Sequence, residues 1–357
     1  MGSLAKIGIA AGRIVPVAEI PGHSAAPSLS EFSRSCLSRF GFARIADRVC
    51  DGAPLNVRDV ETLLSKASLP VLMKLVEIKR CSEGYAAPLP LVLLPLASWS
   101  ARYDSTKILE LSEGLLRGIR HKHLRVVIDE LDYSKLDGEL FSVLREISSC
   151  RPGVTLVGPS VDDVVSWVVS ATQNERGLKK FEALLHRLRD AGLGRLMPTS
   201  MVDVLKTVHE AGFPASLVTN VSEFSSPLEL AKELLRVNEI AQGQPIDVWV
   251  PGYQISRASS SLISRSALNF QLLRVLAVGS LCLDAVPHRR ASTRYFSVDA
   301  LQFARYCGAN DYGFGAVNEL TARSMQLEKL DRLKRAVRST GIGTPASSAM
   351  PCYFPEA

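Results

Sequence analysis

The sequence lacks any apolar run long enough to span a bilayer. The longest, Tyr85 to Trp99, contains Pro88, Pro90 and Pro95 and falls short of the ~20 residues that a membrane helix needs. It reads as a buried strand, and no membrane partner is expected. Blocks of like charge are also missing. The formal net charge is +6, but the basic residues are scattered, so nucleic acid is not expected as a partner. The densest basic stretch, Arg323 to Arg338, is interleaved with Glu328 and Asp331 and reads as a solvated helix face. The seven cysteines (Cys36, Cys50, Cys81, Cys150, Cys282, Cys307 and Cys352) are odd in number and widely spaced. That excludes a disulfide framework and a zinc motif and points to reduced, mostly buried thiols of a cytoplasmic protein.

Several catalytic signatures are absent too. There is no G-x4-G-K-[ST] loop, and Gly313-Phe-Gly315 and Gly341-Ile-Gly343 are too short for a dinucleotide fingerprint. Val157-Gly-Pro-Ser160 lacks the second glycine of a nucleophile elbow. His121 and His123 would share one face of an extended segment, as a metal pair must. They precede a strand, whereas barrel sites collect at the carboxyl ends, so a surface turn is the better reading.

What the chain does contain is size and alternation. Its 357 residues are 46% hydrophobic, enough for one α/β barrel of ~250 residues with additional helices. Residues 1–43 read as a leader or linker, poor in acid and faintly like a transit peptide, with a Pro/Ser/Ala/Gly-rich stretch from Pro21 to Ser30. Helices are expected over 44–79, where Ile45, Val49, Val60, Leu63, Leu64, Leu72, Leu75 and Val76 recur at helical spacing. Strands are expected at Leu89–Ala97, Leu124–Asp129, Val154–Val157, Leu193–Met197, Ser216–Thr219 and Asp247–Val250, with helices between them. This is the pattern of β-α units around a parallel sheet. The expected fold class is α/β, a partial (β/α)6 TIM-like barrel over 44–325 with extra N- and C-terminal helices. Leu268–Leu283, Val298–Cys307 and Asn318–Val337 read as helices. Residues 326–357 read as the end of the last helix followed by a disordered tail. The segment Leu178–Ala191 shows the logic: Leu178, Phe181, Leu184, Leu185 and Leu188 form one stripe, charged residues take the other face, and Gly192 follows as a left-handed cap.

At the carboxyl end of the strand that begins at Leu124 stands Asp129-Glu130-Leu-Asp132. These carboxylates could work as acid–base groups on a bound substrate, or could simply be a solvated loop.

The stretch Leu184–Leu205, LLHRLRDAGLGRLMPTSMVDVL, resembles a segment of the radical S-adenosylmethionine enzymes of futalosine-type menaquinone synthesis, dehypoxanthine futalosine cyclase and aminodeoxyfutalosine synthase, and of the related deazaflavin-cofactor synthases. LDAVPHRRAS (283–292) and CGANDYGFGAVNEL (307–320) resemble two later segments of the same family, in the same order. The resemblance implies a radical-SAM type of barrel and a role for Asp203, His288, Asn310 and Asp311 around a ligand. It also shows departures. The family's C-x3-C-x2-C motif holds a [4Fe–4S] cluster that chelates S-adenosylmethionine. Here the matching stretch, Leu91–Asp104, has no cysteine. A cluster is therefore not expected, and S-adenosylmethionine loses its anchor as a ligand. The family's glycine triplet becomes Thr199-Ser200-Met201 and its following Glu becomes Asp203, a pairing in which Ser200 and Asp203 would serve as a helix cap. A polar His position becomes Ser222. Two functional classes remain. One is a cluster-free pseudoenzyme or accessory binding protein of menaquinone synthesis, with a small molecule in the barrel or a protein of that pathway as partner. The other is a non-radical barrel enzyme acting on a nucleoside or chorismate-derived substrate.

Overall fold

The computed structural model describes residues 7–10, 13–16, 31–83, 124–127, 138–149, 154–170, 176–253, 265–292 and 295–313. Near the N-terminus, Ile7–Ala10 (β1) and Arg13–Pro16 (β2) pair antiparallel. Four helices follow: α1 (Glu31–Arg39), α2 (Ala43–Cys50), α3 (Val57–Lys66) and α4 (Leu69–Glu83). The helical region thus begins ahead of the expected residue 44, and Leu37 of α1 is already buried in the core. Asn56 starts α3 with a reciprocal capping box: its side chain accepts from the Asp59 N–H, and the Asp59 carboxylate accepts from the Asn56 N–H. Buried Asp59 also takes Arg44 at 2.8 Å and Arg48 at 2.5 Å, which ties α2 to α3.

The parallel sheet is built from β3 (Leu124–Val127), β4 (Val154–Ser160), β5 (Leu193–Met197), β6 (Ser216–Asn220), β7 (Val248–Gly252), β8 (His288–Ser292) and β9 (Asp311–Gly313). β3, β4 and β5 pair in that order, as do β6 to β9. A parallel bridge between Thr199 and Leu217 joins the two sets. Spatial order therefore equals chain order, the arrangement that successive β-α units produce. The connecting helices are α5 (Gly138–Ser149), α6 (Val161–Ser170), α7 (Arg176–Asp190), α8 (Leu205–Glu210), α9 (Pro227–Gly243), α10 (Arg265–Cys282) and α11 (Val298–Ala304). In α7, Phe181, Leu184, Leu185 and Leu188 are buried as their spacing predicts, while His186 is exposed, and Gly192 follows at φ +91°.

Strands β8 and β9 correct the sequence reading, which placed only helices after residue 250. The sequence HRRAS offers no apolar alternation, and β9 has three residues, so neither carries a strand signal by pattern. The expected strand Leu89–Ala97, the expected helices at 105–118 and 318–337, His121, His123 and the tail lie outside the described residues.

One face of the sheet packs on helices. Leu217, Trp249 and Ala291 join a large core with α3, α4, α9, α10 and α11. Helix α10 runs so close to the sheet that a Cβ on Gly279 would press on the Trp249 ring at 2.5 Å. Trp249 is fully buried, and its indole N–H donates to Thr219 Oγ1 at 2.8 Å.

Candidate functional site

Because side chains alternate along a strand, the neighbours of Leu217, Trp249 and Ala291 face the other way. On this inner face Val218, Val248 and Val250 form a separate small apolar cluster, with Tyr295 packed against it. Tyr295 lies close over Gly252, where an added Cβ would meet its ring at 2.9 Å, and it meets Tyr253 edge to face at 5.7 Å.

The same alternation turns Arg290 inward, because Ala291 packs outward. Arg290 and Asp311 are register partners in β8 and β9. The Arg290 Nε and Nη2 both donate to Asp311 Oδ2, at 2.9 and 2.8 Å. Asp311 is 0% exposed, and its Oδ1 is buried without a hydrogen-bond partner. Burying a charged pair is expensive, and its attraction offsets the cost only when geometry and remaining hydrogen bonds are good.

The pairing depends on a local device. Gly308, at φ +95°, ends the helical run after α11, and a Cβ there would overlap Ser280 Oγ. Asn310 then bonds with its whole carboxamide to main chain: Oδ1 accepts from the Arg289 N–H at 2.8 Å, and Nδ2 donates to Pro287 O at 2.8 Å. Its own N–H donates to Arg289 O at 3.2 Å. Asn310 thus clamps β9 to β8 and sets Asp311 opposite Arg290.

A third charge acts on this pair. Arg195 on β5 has Nη1 buried with no hydrogen-bond partner, and its side chain makes no ion pair among the described residues. Burial pushes its guanidinium below the usual arginine range, the Arg290 cation adds to this, and Asp247 and Asp311 act in the opposite direction. Arg195, Arg290 and Asp311 therefore share one electrostatic neighbourhood.

At the carboxyl ends of the strands, Asp162 in the first turn of α6 accepts from Thr199 Oγ1, from the Ser200 N–H at 3.3 Å and from Ser200 Oγ at 3.1 Å. Ser200 does not cap a helix with Asp203, as its spacing suggested. The turn Val202–Val204 has Met201 at its N-cap with no side-chain bond, because Asp162 holds Ser200 instead. Further round, Asn220 Nδ2 donates to Glu223 Oε1 at 2.8 Å.

Of the residues singled out in the sequence, Asp311 sits at the centre of the inner face and His288 is half-buried at the start of β8, in register with Val248. Asn310 supports them through main chain. Asp203 is exposed on its short turn and apart from the charged trio. Asp129, Glu130 and Asp132 lie outside the described residues. Arg195 and Arg290 went unremarked in the sequence, although each lies within a segment that carried the resemblance.

Among the described residues, the thiols form no set that fits an iron–sulfur cluster. No cysteine triplet has the needed spacing. Cys282 and Cys307 are buried on the helical side, where burial pushes both thiols up to about 12, away from the thiolate form that ligates iron. Among the described residues, no group of three or more His, Cys, Asp or Glu side chains could hold a metal ion.

This architecture is an α/β fold with parallel strands in chain order. Methylornithine synthase (PylB) superposes on it with a TM-score of 0.56 at 13% identity, covering 83% of this chain and 94% of that one. The FeFe-hydrogenase maturase HydG from Carboxydothermus hydrogenoformans gives a TM-score of 0.56 at 11% identity, covering 86% of this chain and 80% of that one. At such identities the likeness is one of fold. No protein-family model matches the chain, and no curated protein matches it.

Proposed function

We propose that this chain is a cluster-free relative of the radical SAM barrel enzymes, retained as a small-molecule-binding accessory protein or pseudoenzyme of menaquinone synthesis. The observation that carries the binding role is the buried Arg290–Asp311 pair with one Asp311 oxygen uncommitted. The interior of a purely structural barrel is filled by branched apolar side chains, and a chain built only for stability has little reason to place this pair there. The cluster-free part rests on the missing cysteine motif. The link to menaquinone synthesis rests on the resemblance of 184–205, 283–292 and 307–320 to the futalosine-pathway enzymes.

Anaerobic reconstitution with iron and sulfide tests the first part: the expected result is no bound cluster and no 5′-deoxyadenosine from S-adenosylmethionine with dithionite. About four irons per chain, the content of one [4Fe–4S] cluster, together with cleavage would sink it. Thermal shifts with dehypoxanthine futalosine and aminodeoxyfutalosine test the second. A ligand at a hundred times its dissociation constant stabilises by about 2.7 kcal/mol, so a shift of a few degrees is expected from one of them. No shift with either removes the pathway link.

A further inference from the structure

We propose that the sheet is a wall of two parts that opens along the line between β5 and β6, and that the Asp162 carboxylate is the latch holding this seam shut. The opening itself needs no ligand; that it admits one to the inner face rests on the binding role proposed above.

The seam is thin for a reason visible in the sequence. β6 and β7 pair along their whole length, Ser216 to Asn220 against Val248 to Gly252. Between β5 and β6 the described residues show one bridge, Thr199 to Leu217, and it lies beyond the end of β5. Pro198 stands between β5 and the bridge and has no N–H to give to a ladder. Two backbone bonds make the bridge: the Thr199 N–H donates to Ser216 O at 3.0 Å, and the Val218 N–H donates to Thr199 O at 2.8 Å. Both run through Thr199, so whatever fixes Thr199 fixes the seam.

A side-chain knot fixes it. The Thr199 hydroxyl donates to Asp162 Oδ1 and accepts the Met201 N–H at 2.9 Å. Asp162 Oδ2 accepts from the Ser200 N–H at 3.3 Å and from Ser200 Oγ at 3.1 Å. Thr199 is 0% exposed, and hydrogen bonds to a carboxylate are roughly twice as strong as neutral ones. The tie at the opposite end of the strands is softer. There Arg189 donates to Gly194 O at 3.3 Å and lies over the Phe213 ring at 5.6 Å, but Arg189 is exposed, where such contacts contribute least. On the helical side, Val157, Leu205 and Leu217 belong to one core, which keeps the two parts together while the rim separates. The apolar side is therefore the hinge. Release of the knot frees Val218, a member of the inner-face cluster, from its partner across the seam.

Amide hydrogen exchange of the full chain, read at single residues by mass spectrometry in low urea, tests this in the native protein and in Asp162→Ala. In the native chain the amides of Thr199 and Val218 should exchange together, faster than that of Val250 in β7, and with little dependence on urea, as a local opening does. Asp162→Ala should speed Thr199 and Val218 by at least about tenfold, the worth of a lost bond to a charged group, and leave Val250 within about twofold. Equal acceleration of all three amides would make Asp162 a general stabiliser and overturn the latch. So would unchanged exchange at Thr199 and Val218. Should Asp162→Ala not fold, Asp162→Asn decides the same point: it keeps the acceptor for Thr199 but turns an N–H group on the Ser200 N–H, and the same two amides should speed up selectively. None of these readouts involves a ligand, so failure of the futalosine thermal shifts would remove the binding role and leave the opening to stand or fall by exchange alone.

Discussion

Replacing Asp311 by Asn changes charge while keeping shape, so it isolates the electrostatic contribution of the inner-face pair. In the native chain the Asp311 carboxylate is 0% exposed and the Arg290 side chain 9% exposed, joined by two bonds of 2.8 and 2.9 Å to one oxygen. Asp311→Asn leaves the Arg290 cation buried and uncompensated beside Arg195. Breaking one side of a buried pair costs about 3–5 kcal/mol, whereas replacing both partners by apolar groups of similar size is often close to neutral. Since domains are stable by only about 5–15 kcal/mol, the single variant should lose at least about a fifth of its stability. Arg290→Met with Asp311→Leu should remain within about 1 kcal/mol of the native chain. Urea unfolding followed by circular dichroism and by the fluorescence of buried Trp249 measures both. A loss below about 1 kcal/mol for Asp311→Asn, or a double variant as unstable as the single, would refute the placement of this pair in a low-dielectric interior.

Gly308→Ala should cost about 1–2 kcal/mol for the left-handed backbone and about 1–3 kcal/mol for the overlap with Ser280, both read from urea midpoints. Adding Ser280→Gly should recover only the contact part. For Asp59, burial pushes the carboxyl up, but the Arg48 hydrogen bond, the Asn56 N–H and Arg44 outweigh it and hold the group below its usual 3.8. A depressed folded value means stabilisation that is present above 3.8 and lost as pH falls through the folded value. The stability gap between the native chain and Asp59→Asn should therefore be constant near neutrality and shrink below about pH 4, and a gap unchanged down to pH 2.5 would contradict this. With their thiols pushed up to about 12 and buried, Cys282 and Cys307 should escape iodoacetamide at pH 8 until denaturant is added. Mass spectrometry showing either labelled in the native chain would refute their burial.

How far the fold can be read from the sequence depends on whether hydrophobic burial left a periodic trace. β5 was legible to the residue because Leu193 and Met197 bound a short run closed by Gly192 and Pro198, and α7 was legible from its single apolar stripe. β4, β6 and β7 were found one to three residues short, since pairing continues past the last apolar side chain into Ser160, Asn220 and Gly252. β8 could not be found in this way. Its inward residues are His288, Arg290 and Ser292, and only Ala291 reports its packing on the helices. A strand whose inner face is polar has no hydrophobic alternation to detect, and the same polarity is what makes that face a candidate site.

The site was legible only where resemblance stood in for pattern. Asp311 and His288 stand out because they fall in segments similar to a known family, while nothing in the sequence distinguishes Arg195 and Arg290. The departures from that family also acquire a physical meaning in the fold. Thr199 and Ser200 stand where the family has glycines, and both are bonded to Asp162, which fastens the end of β5 to α6. Glycine at these positions permits close approach of a ligand to backbone. Side chains anchored there occupy that approach, at the same end of the sheet where barrel sites form. The proposed cluster-free reading rests on the absence of a C-x3-C-x2-C motif and on these anchored side chains. The buried Arg290–Asp311 pair depends on neither feature, and its uncommitted Asp311 oxygen is what supports the proposed binding role.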